Sequence, residues 1–359
     1  MNDAVRAAIG QVVDPQLGRT LEELDAVRAV TVDKGRAVVA VSVADPDYPY
    51  GDRLTAAIEE AARSVAGIDD VMVQQTVLSD EEADALMARL RPEKKAAGGP
   101  GSRTRVITIA SGKGGVGKSS VTVNLAVALA ARGRSVGVID ADVYGFSIPR
   151  MLGVLSPPAV VGGSLIAPQS YGVRIMSMDY FVQPDQAVIW RGPLLHKALE
   201  QFLTDVFWDE PDYLLIDTPP GTGDVAISLS QFLPRAEVLV VTTPQATAQR
   251  VAKKAALMAE KVNQHVIGVV ENMAWFTGDD GTRYPLFGSG GGEQLARELE
   301  VPLMGRIPLV PAMRVGADEG VPVAVAAPGS EADVAFNEFT DTLEKTKPRV
   351  RTHPELVIK

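Results

Sequence analysis

The pattern of apolar and polar positions divides the 359 residues into two regions. In residues 1–88, apolar side chains recur at helical spacing from Val5 to Val12 and again from Leu54 to Val65. Three valine-rich stretches with the character of strands lie at 27–32, 37–43 and 71–77. The order helix, strand, strand, helix, strand predicts a small α+β domain.

From Arg105 onward, short apolar runs alternate with longer helical patterns, which predicts an α/β domain with a mainly parallel sheet flanked by helices. The runs lie at 106–110, 136–139, 173–178, 212–217, 238–242, 266–270 and 303–307. Residues 91–104 have the composition of a flexible linker, and residues 156–172 predict an irregular hairpin at the surface. We therefore expect domains at 1–90 and 105–345, followed by a tail at 346–359.

A glycine-rich loop, Ser-Gly-Lys-Gly-Gly-Val-Gly-Lys-Ser-Ser at 111–120, stands between the first of these strands and a helical pattern. Its glycines let successive N–H groups face phosphate oxygens, and the helix that begins near Lys118 adds its positive end. Strand, loop and helix in this order favour a nucleotide site over an ordinary glycine turn. The predicted phosphate-binding residues are Gly112, Lys113, Gly114, Gly115, Val116, Gly117, Lys118, Ser119 and Ser120. Lys118 is expected at the β- and γ-phosphates, and Ser119 at Mg²⁺.

Acidic residues follow two of the predicted strands, where ligands bind in open α/β sheets. Asp140 and Asp142 end the strand at 136–139, and Asp217 ends the strand at 212–217. Asp140 and Asp217 are predicted to join Ser119 around Mg²⁺, while Asp142 orients or deprotonates the attacking water. Capping of a turn is the alternative for Asp140 and Asp142.

Composition restricts the remaining possibilities. Hydrophobic residues make up 46% and aromatic residues 5% of a chain with a formal charge of −10, which argues against a general nucleic-acid partner. No apolar run approaches the roughly 20 residues of a membrane span, and the first residues lack a signal-peptide pattern, so we expect a cytoplasmic protein without a membrane partner. The cysteine count is zero, which excludes thiolate ligands from this chain.

Three strings of residues resemble a known family. Lys113 makes the loop similar to the deviant Walker A motif of SIMIBI-class P-loop NTPases, and Asp217–Asp224 and Val143–Gly153 resemble the Mrp/NBP35 family within that class. Asp14-Pro15-Gln16-Leu17-Gly18 and the order of N-terminal elements resemble a MIP18-like domain. The match covers almost the whole chain, apart from the end beyond Lys345.

The resemblance implies an ATP-hydrolysing homodimer in which Lys113 reaches the partner's nucleotide, while Lys118 and Asp142 act within each subunit. It further implies that Asn272 reads the adenine edge and that the loop at Pro308 contacts the base. Transfer of iron–sulfur clusters to client or assembly proteins is also implied. Relatives place a Cys-x-x-Cys pair between Asn272 and Phe287, and this chain keeps the surrounding residues without either thiol.

Three functions remain open from the sequence. The first is an ATP-switched iron–sulfur carrier or assembly factor whose partner supplies thiols. The second is a positioning or partitioning switch of the MinD/ParA kind, and the third is an ATP-dependent ligase of the dethiobiotin synthetase type.

Overall fold

The computed structural model describes residues 1–91, 93, 95–143, 145–182, 192–221 and 224–348. Residues 349–359, which make up most of the predicted tail, lie outside this part of the chain. The described residues form two compact units. The first comprises Met1–Lys95 together with Pro157–Pro168 and Asp205–Phe207, and the second contains the remainder.

The first unit contains a three-stranded sheet in the order β1-β2-β3, with β1 antiparallel and β3 parallel to β2. Its N-terminal elements are α1 (Asn2–Gly10), β1 (Val27–Asp33), β2 (Arg36–Val43), α2 (Gly51–Arg63), β3 (Asp70–Val77) and α3 (Asp80–Leu90). The predicted order of the first five elements is therefore present. The helix α3 was not predicted, and it begins with a capping box between Ser79 and Glu82.

The second unit is built on an eight-stranded sheet in the order β15-β12-β11-β4-β10-β5-β9-β8. Only β8 is antiparallel to its neighbour, so the predicted mainly parallel sheet is confirmed. Between Arg105 and Asp217 the chain forms β4 (Arg105–Ser111), α4 (Lys118–Ala131), β5 (Val136–Asp140), α5 (Ile148–Met151), β6 (Ala159–Val161), β7 (Ser164–Ile166), β8 (Gln169–Ser170), β9 (Val173–Ser177), α6 (Gly192–Thr204) and β10 (Tyr213–Asp217). A 3₁₀ helix spans Met178–Phe181.

The remaining elements of the chain are α7 (Asp224–Phe232), β11 (Glu237–Thr242), α8 (Ala246–Lys261), β12 (His265–Glu271), β13 (Phe276–Thr277), β14 (Arg283–Tyr284), α9 (Gly291–Glu298), β15 (Leu303–Arg306), α10 (Pro311–Glu319), α11 (Val323–Ala326) and α12 (Glu331–Lys345). The core of this unit is formed where α4 and α12 pack on the sheet, with Leu125, Leu129, Phe336 and Phe339 all buried. Because α4 is apolar on nearly every side, it lies inside the unit with its N-terminus at the end of β4.

The hairpin β6–β7 differs from the surface hairpin expected at 156–172. Val161 and Ile166 are buried, and with Phe207 they join the hydrophobic core of the first unit. Gly162 approaches α3 so closely that a Cβ there would meet the Ala83 carbonyl oxygen at 2.5 Å. This segment is therefore part of a core that the local sequence did not reveal.

Residues 96–104, which have the composition of a linker, belong to the second unit. The Ala97 N–H donates to the Leu203 carbonyl, and Gly98 is buried with a φ of +73°. A Cβ at Gly98 would collide with the Val106 side chain. Close packing against β4 therefore accounts for glycine at this position.

Candidate functional site

The predicted glycine loop lines a cavity with a volume of about 950 Å³. Residues 113–120 form one side, and residues from 142–151 and from the turn at Pro219–Pro220 form others. Ala317 and Asp318 of α10 complete the lining. The cavity therefore lies at the carboxyl ends of β4, β5 and β10, as expected for ligand sites in open α/β sheets.

Backbone geometry explains the glycines of the loop. Gly115 and Gly117 have φ values of +79° and +76°, in the region that favours glycine. A Cβ at Gly112 would enter the backbone of α8 at Val251 and Ala252. The loop leads directly into the N-terminus of α4. The N–H groups of the first helical turn have no partner within the helix and can therefore bind an anion.

Lys118, Ser119 and Asp217 come together beneath the loop. The Lys118 ammonium and the Ser119 hydroxyl each donate to Asp217 Oδ2 at 2.6 Å. The Asp217 side chain is fully buried, and the second Lys118 contact, to Asp142 Oδ2, is 3.8 Å long. Lys118 therefore forms one cluster with Ser119 and Asp217, two of the predicted Mg²⁺ ligands. A bound phosphate would compete with Asp217 for the lysine and the hydroxyl and would break these hydrogen bonds.

Asp140 lies beside Asp217 in the parallel register of β5 and β10. Its carboxylate accepts the backbone N–H groups of Asp142, Ser147 and Ile148 at 3.2–3.3 Å. Burial, and then the negative charge of Asp217, raise the pKa of Asp140 to about 7. Asp140 therefore fixes the conformation of the loop that carries Asp142, a residue that lines the cavity.

Lys113 lies at the edge of the loop and contacts its own chain. Its ammonium donates to Gln245 Oε1 at 3.1 Å, next to the start of α8. The neighbouring Gly114 and Gly115 are exposed, while the Ser120 carbonyl accepts the Asn124 amide. No local pattern points to Gln245 as a partner, because 132 residues separate it from Lys113.

Asn272 and Pro308 are placed differently from the phosphate loop residues, and neither is a lining residue of the cavity. The buried Asn272 side chain donates to the Val116 carbonyl at 2.9 Å and abuts Gly117. Pro308 is buried in a loop alongside Ala274 and Trp275, where Leu309 N–H donates to the Trp275 carbonyl. In this arrangement the amide of Asn272 supports the phosphate loop, and its contact with adenine stays a prediction.

The segment that lacks the Cys-x-x-Cys pair is held by Glu331, while Glu271 joins the end of β12 to α9 and β15. Glu331, in the first turn of α12, accepts from Trp275 Nε1, Thr277 Oγ1 and Arg283 Nη2 at 2.7–2.8 Å. Glu271, at the end of β12, accepts the Gly292 N–H at 2.5 Å and Arg306 Nε at 3.0 Å.

Burial alone would raise the pKa of Glu331, but its hydrogen bonds and the charge of Arg283 lower it overall. Hydrogen bonds and charges therefore hold this hairpin in place without any thiol.

Within the ranges described above, no group of three or more His, Cys, Asp or Glu side chains is arranged to hold a metal ion. In the same ranges, no helix has both the length and the apolar character needed to cross a membrane.

The parallel sheet, the glycine loop and the Lys118–Ser119–Asp217 cluster define a P-loop NTPase. A family model described as NUBPL iron-transfer P-loop NTPase matches residues 102–344, and one described as iron–sulfur cluster assembly protein matches residues 2–74. The chain belongs to the Mrp/NBP35 family of P-loop NTPases, as the resemblance in the sequence indicated.

Relatives named iron–sulfur cluster carrier protein match over most of their length. The one from Mycobacterium tuberculosis (strain ATCC 25618 / H37Rv) is 44% identical over 354 residues, covering 96% of this chain and 93% of the relative. The one from Bacillus subtilis (strain 168) is 42% identical over 311 residues, covering 86% of this chain and 88% of the relative.

Solved structures support the fold of the second unit. A nucleotide-binding protein from Archaeoglobus fulgidus in complex with ADP has a TM-score of 0.56 and 35% identity, covering 69% of this chain and 94% of its own. The septum site-determining protein MinD from Pyrococcus horikoshii, complexed with Mg-ADP, has a TM-score of 0.50 and 27% identity, covering 67% and 96%.

Replacing Asn272 with alanine tests whether its amide supports the loop. We expect Asn272→Ala to weaken binding of ATP and GTP analogues by similar factors, because the buried Val116 carbonyl loses its donor at a cost of about 1–3 kcal/mol. Fluorescent nucleotide titrations measure both affinities, with Asn337→Ala, on the exposed face of α12, as control. A loss confined to the adenine nucleotide would instead support adenine recognition by Asn272.

Proposed function

We propose that this protein is a Mg²⁺-dependent ATPase that works as a homodimeric switch in the handling of iron–sulfur clusters. The observation that carries the proposal is the convergence of Lys118 and Ser119 on Asp217 at 2.6 Å beneath the glycine loop. The names of the relatives support the iron–sulfur part of the proposal.

ATP and Mg²⁺ fit the residues present. The cavity of about 950 Å³ accommodates a nucleotide, and open space lies beside Gly114 and Gly115 where a Cβ would stand. A serine hydroxyl and a carboxylate are the hard oxygen ligands that Mg²⁺ prefers. Residues Ser119 and Asp217 would hold the ion, with Asp140 behind them, and the ion would neutralise charge that develops on the phosphates.

Hydrolysis is assigned to the residues around the phosphate site. Lys118 would leave Asp217 for the β- and γ-phosphates, and Asp142, at the cavity wall, would accept a hydrogen bond from the attacking water. Asp140 fixes the loop of Asp142 through three backbone N–H groups, which limits the positions that Asp142 can take. Positioning and charge stabilisation thus account for the proposed reaction.

Lys113 supports the homodimer. Lys113 is partly buried and lines the cavity, and its ammonium donates a neutral hydrogen bond to Gln245. Such a bond contributes about 1 kcal/mol, so a phosphate on a second subunit would compete for the lysine effectively. We therefore assign Lys113 a role at the partner's nucleotide.

The iron–sulfur cargo does not fit thiolate binding by this chain, which has no cysteine. The hairpin β13–β14, where relatives carry their cysteine pair, presents the carboxylate, hydroxyl and guanidinium groups of Asp280, Thr282 and Arg283. These groups do not provide the soft ligands that iron–sulfur clusters require. We infer that client or assembly proteins supply the thiols, while this chain supplies the ATP-dependent step.

The Lys118→Ala variant tests nucleotide binding. We expect the affinity for ATP to fall about 10- to 100-fold, since a charge-assisted bond to phosphate is lost. Titration calorimetry measures the affinity, and Lys254→Ala, at an exposed position on α8, is the matched control. Unchanged affinity of the Lys118 variant, with the protein folded, would contradict the proposed nucleotide site.

Complementation between two inactive variants tests the role of Lys113 across the dimer. We expect Lys113→Ala to bind ATP without hydrolysing it, and Asp142→Asn to be inactive as well. In an equal mixture, half of the dimers are mixed and each holds one complete site, so hydrolysis should recover to about a quarter of the wild-type rate.

A mixture of Lys254→Ala with Asp142→Asn is the control. It gives the hydrolysis rate expected when the subunit paired with Asp142→Asn is fully active. Recovery fails if Lys113 acts within its own subunit, because neither chain then holds a complete site.

Iron and sulfide analysis tests the cargo assignment. We expect the anaerobically purified protein to contain neither iron nor sulfide after reconstitution, because the chain offers no thiolate. ATP should promote a complex with a cysteine-containing cluster protein, and Lys118→Ala should not form it. A chromophore retained by this chain alone would contradict the inference, and ATP-dependent binding to DNA or liposomes without such a complex would favour a positioning switch.

A further inference from the structure

We propose that Thr122 is a positioning residue that fixes the Asp217 carboxylate for the divalent cation bound with the nucleotide. This inference rests on the proposed function of the same site. Thr122 lies in the second turn of α4, is fully buried and does not line the cavity. Its role is therefore exerted through Asp217 and not through contact with a ligand.

The two carboxylate oxygens of Asp217 have different partners. Oδ2 accepts from Lys118 and Ser119 at 2.6 Å, while Oδ1 accepts from the Thr122 hydroxyl at 2.8 Å. The Thr122 oxygen also lies 3.1 Å from the Lys118 carbonyl, but a hydroxyl has one hydrogen to donate. The carboxylate is the closer acceptor and carries a charge, so it takes the stronger bond.

This division of partners matters when a nucleotide binds. The residues that share Oδ2 are those predicted to turn toward phosphate and Mg²⁺, so Oδ2 would lose both donors. Thr122 faces no such competition, and its branched side chain has few rotamers in a buried helix. The bond to Oδ1 would therefore keep the carboxylate plane in place and direct Oδ2 at the cation, in the manner of other outer residues of metal sites.

The chain offers a matched control in Thr340. It is also fully buried in a helix, and its hydroxyl donates to the carbonyl four residues earlier, that of Phe336, at 2.7 Å. Thr340 lies in α12 and shares with Thr122 the same local geometry, but its hydroxyl donates to a carbonyl and not to a carboxylate. A valine at either position removes a buried hydroxyl at nearly constant volume.

Titration of Mg²⁺ against a fluorescent ATP analogue tests the proposal. We expect Thr122→Val to raise the Mg²⁺ concentration for half-maximal binding about 10-fold, the lower range for outer residues of metal sites. Binding of the analogue in EDTA should stay within about 2-fold of wild type, because Thr122 does not touch the nucleotide site. Thr122→Ser, which keeps the hydroxyl, should restore the Mg²⁺ dependence, and Thr340→Val should leave it unchanged.

Two results would overturn the proposal: an unaltered Mg²⁺ dependence of Thr122→Val, or an equal loss of binding in EDTA. Thr122→Ala provides the same comparison with a good helix former if the valine variant does not fold. Failure of the proposed function has a different signature, since wild-type protein itself would then show no Mg²⁺-dependent binding. The two failures are therefore distinguishable.

Discussion

The site depends on two carboxylates buried side by side at the end of a parallel sheet. Asp140 and Asp217 occupy paired positions in β5 and β10, and both are fully buried. Two such charges repel each other in a medium of low polarity, so each needs its own donors. Backbone N–H groups serve Asp140, while Lys118, Ser119 and Thr122 serve Asp217. The positions of α4, of the glycine loop and of the loop of Asp142 all follow from this requirement.

Short sequence motifs made the central part of this arrangement predictable. Glycines between a strand and a helix indicate a phosphate site, and aspartates at strand ends meet at one edge of a parallel sheet. Thr122 was also within reach, because residues four apart on a helix share a face and Lys118 was already assigned. Partners that lie outside such motifs carry no such signal, as with Asn272 and Val116 or Glu331 and Thr277.

The core of the first unit shows a second limit of local patterns. The proline and glycine residues near 156–172 correctly predict a turn. They do not indicate which hydrophobic core contains the apolar residues of that turn. Val161, Ile166 and Phe207 are buried with the N-terminal elements although they come from the middle of the chain. The hydrophobic effect is not directional, so a short strand with alternating apolar residues can pack against any complementary apolar surface.

The segment after β12, where the family resemblance places a cysteine pair, contacts both the phosphate loop and α12. Glu331 holds its hairpin through hydrogen bonds to Trp275 and Arg283, and Arg283 stacks 4.5 Å above the Trp275 ring. These contacts do not involve sulfur, so the described fold of this segment does not depend on a cysteine pair. Asn272 joins the same segment to the phosphate loop at Val116. These contacts connect the phosphate loop to the hairpin, and in the proposed function a client or assembly protein supplies the thiolates.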